Sequence, residues 1–385
     1  MSKIIILADF SEEYFKKILL GVVRYSKENG TWVFCRMPAY YRETLGIDSI
    51  LKWAREWNAT GMLVQINNDN DSETLSKAGF PVIAQDFMER FSNLPNITGD
   101  YYNTGRIGAE YFMNKGFNHF AFYGFPNFVW SRERGEGFSK YLESKGKKVS
   151  FYENDHSYEP NLWYYKASKL SQWLSELPKP VAIMACDDNR GQHITEACKL
   201  AGIKIPEEVA ILGVDNDELI CELSDPPLSS ISLDAEKGGY EAAKLLDMLM
   251  HDPNSNYSDV IVSPLQVITR QSTDIYATPD IEISRSLKFI HQNCDRNLLV
   301  TDVLEVVALS RRAFEIRFKK VTGVSVYQYY LKLRIDRLAR RLIETDKPVN
   351  EIAIDLGFNE FNNLSRMFKQ IKGCSPLEYR KKHKP

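Results

Sequence analysis

Short, continuously apolar runs alternate with amphipathic segments along the first 270 residues or so of this chain. The runs are "KIIILA", "WVFCR", "GMLVQI", "PVIAQD", "HFAFYG", "KVSFYE", "VAIMACD" and "VAILGVD". Each has strand length, and an unbroken apolar run marks a strand buried on both faces, as in a parallel sheet covered by helices. Between the runs, apolar residues recur at helical spacing over 12–27, 47–57, 71–78, 103–115, 134–145, 162–177, 191–201 and 236–250. This βα alternation predicts an α/β fold with parallel, doubly wound sheets, and two successive cycles predict two lobes. Past "STDIYATPDIEISRS" every pattern is helical, and the Thr-Pro-Asp break there marks a linker. The expected organisation is a two-lobed domain over 1–272, a linker over 273–280 and an all-α domain over 281–385.

The helical tail carries a duplication. Phe318, Gly323, Ser325 and Tyr329 recur 50 residues later as Phe368, Gly373, Ser375 and Tyr379, and Ala308 and Ser310 recur 49 later as Gly357 and Asn359. Each copy has a short apolar face (Val303, Leu304, Val307; Ile352, Ala353, Leu356), then a turn, then a stripe (Phe314, Phe318, Val321; Leu364, Phe368, Ile371). That spacing packs a second helix on a first across a tight turn. Ser325 to Gln328 and Ser375 to Glu378 both read as capping boxes that start supporting helices. Opposite the stripes lie Arg311, Arg312, Glu315, Ile316 and Lys319 in the first copy, and Asn362, Asn363, Arg366 and Lys369 in the second. Asn matches adenine edges and Arg guanine edges in the major groove, so these faces are candidate reading helices.

Charge sharpens the division. Residues 281–385 hold 21 Lys and Arg against 12 Asp and Glu, a net +9, whereas the whole chain is −2. An acidic body with a basic tail points to a polyanion partner for the tail alone. The tail also resembles the AraC-type DNA-binding domain over roughly 280–382, through "NEIAIDLGFNEFNNLSRMFKQIKGCSPLEYR". The resemblance implies two helix-turn-helix units joined by a long helix, about 326–344, with base contacts from Arg312 and Glu315 and from Asn362 and Arg366. Where the family often has Arg, this chain has Ile316, which suits a thymine methyl or no contact.

In open parallel sheets, ligands bind beyond the carboxyl ends of the strands. Polar residues gather there: Asp9 with Phe10, Asp86, the Asp187–Asp188 pair, and Asp215 with Asn216. Carboxylates accept hydrogen bonds from vicinal hydroxyls, while Arg132, Arg134 and Trp163 offer donors and a ring face, so the set suits a hydroxyl-rich ligand. The stretches "RERGEGF", "VAIMACDDNRGQHI" and "VAILGVDNDELICELSDPPLSSISLDAEKGGYEAAKLL" resemble the effector domains of LacI/GalR-type repressors, which share the periplasmic sugar-binding fold. The resemblance covers 3–272. It implies sugar contacts at Arg134, Asp187 and Asp215, with Trp163 where many members place a stacking aromatic. Those repressors carry an N-terminal helix-turn-helix, for which this chain has no room.

Such a sensor ahead of an AraC-type tail is a rare order, and it resembles that of the xylose-responsive activators. The resemblance implies a sugar-responsive transcription activator, with xylose or a related pentose as effector and a homodimer on a direct-repeat operator. RNA polymerase is then a further partner. The rival effectors are arabinose, another sugar or a sugar acid, and the rival class is a sugar-binding module without gene control. Enzyme chemistry finds little support. There is no Gly-x-Gly-x-x-Gly after a strand and no Gly-Lys-Ser/Thr loop, six histidines lack metal spacing, and six cysteines form no Cys-x-x-Cys pair. Adjacent residues such as Asp187 and Asp188 point apart, unlike a glycosidase dyad. No catalytic residue, metal or cofactor is expected. No apolar run approaches membrane-spanning length, and the start lacks a cleavage-like Ala-x-Ala, so a cytoplasmic chain is expected.

Overall fold

The computed structural model describes all residues except 39, 67–68, 153–166, 276–277, 279, 359–360 and 384–385. The chain divides into two compact units, Met1–Met113 with Asn118–Thr273, and Asn114–Phe117 with Asp274–Pro385.

The first unit is built on two six-stranded sheets, one wholly parallel and the other parallel except for one edge strand. In chain order the strands are β1 (Lys3–Ala8), β2 (Val33–Pro38), β3 (Gly61–Gln65), β4 (Val82–Gln85), β5 (Asn96–Gly99), β6 (His119–Tyr123), β7 (Val149–Phe151), β8 (Val181–Ala185), β9 (Val209–Val214), β10 (Ser229–Leu233), β11 (Val260–Val262) and β12 (Pro264–Ile268). One sheet runs β11-β5-β4-β3-β1-β2 and the other β12-β10-β9-β8-β6-β7. The central strands β3, β4, β8 and β9 are buried along their whole length, as continuous apolar runs require. Because β11 returns to the first sheet before β12 rejoins the second, the chain passes between the lobes three times.

Two close helix crossings fix the lobes' outer layers. Helix Tyr101–Asn114 lies against Val129–Glu143 so tightly that a Cβ on Gly105 would stand 1.9 Å from the Arg134 carbonyl oxygen, and one on Gly137 would stand 1.9 Å from that of Tyr102. Helix Glu13–Asn29 meets Ala235–His251 in the same way through Gly21 and Gly239. Glycine is needed here because a backbone fills the space a methyl would take.

The second unit is helical: Ile281–Gln292, Val300–Leu304, Arg311–Thr322, Val326–Glu344, Val349–Asp355, Phe361–Lys372 and Pro376–His383. It holds two cores. One gathers Ile283, Leu287, Val303, Phe314, Phe318 and Tyr330, and the other Ile335, Leu338, Ile352, Leu364 and Phe368. The duplication is geometric as well as sequential. Phe318 meets Tyr329 edge-on at 5.6 Å, and Phe368 meets Tyr379 edge-on at 5.5 Å. Gly323 and Gly373 end the equivalent helices at φ +76° and +81°. Ser325 and Ser375 then cap the next ones, exchanging hydrogen bonds with Gln328 and Glu378.

Candidate functional site

Between the two lobes of the first unit lies a cavity of about 250 Å³. It sits where parallel strands end and the helices starting at Glu13, Tyr101 and Asp188 begin, so partial positive charge from their N-termini faces it. Seven carboxylates line it (Glu12, Glu13, Asp86, Asp187, Asp188, Asp215 and Asp217) against the cations Lys16 and Arg134. Tyr14, Gln85, Phe87, Tyr101 and Trp130 supply amide, hydroxyl and ring surface.

Arg134 is the hub. It is 3% exposed and hydrogen-bonds through Nη1 to the Cys186 carbonyl and through Nη2 to Asp215 Oδ1 at 3.2 Å. Its guanidinium lies 5.4 Å from the Tyr101 ring and 5.5 Å from that of Trp130, which is one helical turn earlier. Asp215 and Asn216 leave β9 at φ +97° and +49°, a conformation that costs non-glycine residues energy and clusters at functional sites. Lys17 Nζ secures that turn at both carbonyl oxygens. The Asp215 side chain keeps about 21% of its surface open to the cleft. Burial raises its pKa, and Arg134 opposes the shift.

The adjacent pair does separate tasks. Asp187 caps the following helix, accepting from Arg190 N and Nε at 2.8 Å, whereas Asp188 Oδ2 accepts from Asp217 N at 2.7 Å. Asp86 accepts from Thr98 Oγ1 at 2.6 Å and from Tyr101 Oη at 2.7 Å. Burial still pushes its pKa up to about 6, the hydrogen bonds opposing. Glu12, partly open to the cleft but surrounded by protein, is pushed up to about 8 by burial and by Asp9, Asp215 and Asp187.

Of the residues expected from sequence, Asp86, Arg134, Asp187 and Asp215 line the cavity together. Asp9 and Phe10 do not: Asp9 Oδ1 accepts from Ser11 N and Oγ, and the Phe10 ring packs on Phe15 under Arg36. Arg132 pairs with Glu89, and Trp163 lies outside the described residues. Sequence reading missed Glu12, Tyr14, Gln85, Tyr101 and Trp130. The i, i+4 spacing of Trp130 and Arg134 is the signal that would have found the last.

On the second unit, Arg311, Arg312, Glu315 and Ile316 are exposed along helix Arg311–Thr322, with Arg311 Nε 3.0 Å from Glu315 Oε1. On Phe361–Lys372, Arg366 and Lys369 are exposed and Asn363 is half-buried. The side chain of Asn362 lies outside what is described. The connecting helix Val326–Glu344 has 19 residues and is therefore about 28 Å long. From its middle, buried Arg334 donates to the Leu356 carbonyl at 2.7 Å, its guanidinium 3.8 Å from the Phe358 ring centroid. Gly357, at φ +71°, brings the second turn within a methyl's reach of the Asp295 carbonyl.

Among the described residues no cluster of His, Cys, Asp and Glu is arranged to hold a metal ion. None of their helices is long and apolar enough to cross a membrane.

Comparison with known proteins agrees with both halves. Residues 109–273 match the periplasmic binding protein-like domain, and 303–382 match a helix-turn-helix domain. Over 385 residues the chain is 26% identical to the xylose operon regulatory protein of Escherichia coli (strain K12), covering 98% of this chain and 96% of that one. It is 28% identical to the protein of the same name from Haemophilus influenzae, covering 98% of each. The solved structure of the xylose-binding transcription activator xylR superposes with a TM-score of 0.62 at 25% identity, covering 100% and 98%. A transcriptional regulator CelR–cellobiose complex, at 20% identity and a TM-score of 0.58, covers 71% of this chain and 84% of that one, a likeness of fold alone. The chain is a sugar-responsive transcription regulator in which a periplasmic binding protein-like sensor precedes an AraC-type helix-turn-helix domain.

Proposed function

We propose that the sensor cleft takes D-xylose or a closely related pentose, and that its occupancy sets how the tail engages DNA. The observation that carries this is the composition of the cavity. It has small volume, an arginine held beside two aromatic rings, and carboxylates poised to accept from hydroxyls. Full-length similarity to the xylose operon regulators favours xylose over arabinose. A sugar acid is disfavoured, because even with Glu12 protonated the lining carries more carboxylates than cations, and these repel an anion.

Arg311, Arg312, Glu315, Asn362, Asn363 and Arg366 are the proposed base-reading set. A connector of about 28 Å suits two helices entering successive major-groove segments, one turn or about 34 Å apart. The regulator acts in the cytoplasm as a homodimer and, as an activator, contacts RNA polymerase. Polar bridges between the lobes favour a closed cleft: Arg90 to Glu133 at 2.5 and 2.7 Å, and Arg132 to Glu89 at 2.8 Å. Sugar stabilises that closed state and shifts the population of dimer arrangements. Selection of binding sites from a random DNA pool, with and without xylose, tests this. Paired direct repeats enriched differently in the two conditions are expected. Enrichment of the same sites to the same extent would count against coupling.

A further inference from the structure

Two glutamines stand side by side in the first sheet, Gln65 on β3 opposite Gln85 on β4. Both are buried, 5% and 7% exposed, yet they are satisfied differently. Gln65 Oε1 accepts from the Asp9 backbone at 3.1 Å, which serves the fold. Gln85 Oε1 is buried with no hydrogen-bond partner, and Gln85 lines the cavity. Tyr14 repeats the pattern from helix Glu13–Asn29: its hydroxyl is buried, unpartnered and part of the same lining. In the opposite lobe Arg134 Nε and Asp188 Oδ1 are likewise buried without a partner, and both residues line the cavity.

An unmade hydrogen bond on a buried polar atom costs about 1–3 kcal/mol. The residues lining this small cavity carry four such atoms, two acceptors (Gln85 Oε1 and Asp188 Oδ1), a hydroxyl and a donor, drawn from both lobes. One ligand class satisfies all four. A neutral polyol hydroxyl donates to a carbonyl and accepts from a hydroxyl at the same time, and a ring or second hydroxyl oxygen accepts from Nε. We infer that Tyr14 and Gln85 are specificity-determining residues which together read one hydroxyl of the bound sugar, while Arg134 Nε holds a second oxygen from the other lobe. This rests on the sugar-sensor reading above and adds to it two residues on the first lobe that engage the ligand directly. It also gives the lobes a reason to close on a ligand, since neither lobe alone satisfies the set.

The test uses the full-length chain and its Tyr14→Phe and Gln85→Met variants, titrated by calorimetry with D-xylose and its single-deoxy analogues and melted without sugar. Tyr14→Phe keeps the ring, and Gln85→Met keeps the volume while removing the orphaned carbonyl. Each is expected to weaken xylose binding by about tenfold. One deoxy analogue should bind wild type and Tyr14→Phe equally, identifying the hydroxyl that is read. Gln85→Met should also melt higher than wild type without sugar, because an unsatisfied buried group has gone. A structural role would lower that melting temperature instead, and would overturn the inference. Wild-type affinity in both variants would overturn it too, leaving the sugar reading intact. No heat from the wild type with xylose, arabinose, ribose or glucose would overturn the sugar reading and the inference with it.

Discussion

Gly105→Ala separates two opposing effects by size. In an ordinary helix interior the change is favourable by about 1 kcal/mol, because alanine gives up less backbone freedom. Here the new Cβ would stand 1.9 Å from the Arg134 carbonyl oxygen and 2.7 Å from the Phe138 nitrogen. Both are backbone atoms, so no side chain can swing away. The helices must part by about 1.5 Å to reach ordinary contact near 3.5 Å. Overpacking of that kind costs roughly 3 kcal/mol at the upper end of its usual range, leaving a net loss of about 2 kcal/mol. At roughly 2–4 °C per kcal/mol for a domain of this size, the sensor transition should fall by about 4–8 °C. Sugar affinity should fall as well, since the displaced backbone is that of Arg134, whose side chain lines the cavity. Differential scanning calorimetry with and without xylose reads both quantities. A higher melting temperature with unchanged affinity would refute the reasoning, because propensity would then have outweighed the crossing.

Other expectations follow from the same geometry. Asp215→Ala leaves Arg134 Nη2 unpaired and removes a cavity carboxylate, so xylose affinity should fall by roughly 10- to 100-fold in a calorimetric titration. Glu12 has a folded pKa of about 8, above its ordinary value of 4.5. The folded state therefore holds a proton that the unfolded chain has lost between those values, and stability must decline as pH rises through that window. Melts of the sugar-free protein from pH 5 to pH 8.5 should show the decline, and Glu12→Gln should flatten it. Arg334→Met removes the tie to the Leu356 carbonyl and the stacking on Phe358, worth roughly 2–4 kcal/mol together. Footprinting should then show protection of the second half-site lost before the first. Arg366→Ala should relax specificity at one base position by roughly 1–3 kcal/mol, seen as degeneracy in selected sites, whereas a uniform loss would assign Arg366 to phosphate.

What could be seen in the sequence was whatever repeats or runs unbroken. The strands β1, β3, β8 and β9 announce themselves as continuous apolar stretches, and the 50-residue offset exposes both helix-turn-helix units down to their caps. Short elements left little pattern. Tyr40–Leu45 buries none of its residues, and β5, β10, β11 and β12 have three to five residues each, too few to show a period. The helix before Arg134 starts at Val129, five residues earlier than its pattern suggests, because the aromatic run at Phe125–Trp130 does not look amphipathic. In the cleft, residues at strand ends such as Asp86, Asp187 and Asp215 were legible from the rule that ligands sit there. Glu12, Tyr14 and Tyr101 were not, because they belong to helix starts whose approach depends on tertiary packing. Gln85 was hidden inside an apolar strand, where an amide looks like an exception rather than a ligand.

The most direct measurement is a calorimetric titration of the full-length protein with D-xylose, L-arabinose, D-ribose and D-glucose under one set of conditions. Saturable binding of xylose, tighter than that of the other three, is expected with one site per chain. Equal or absent heats for all four sugars would contradict it.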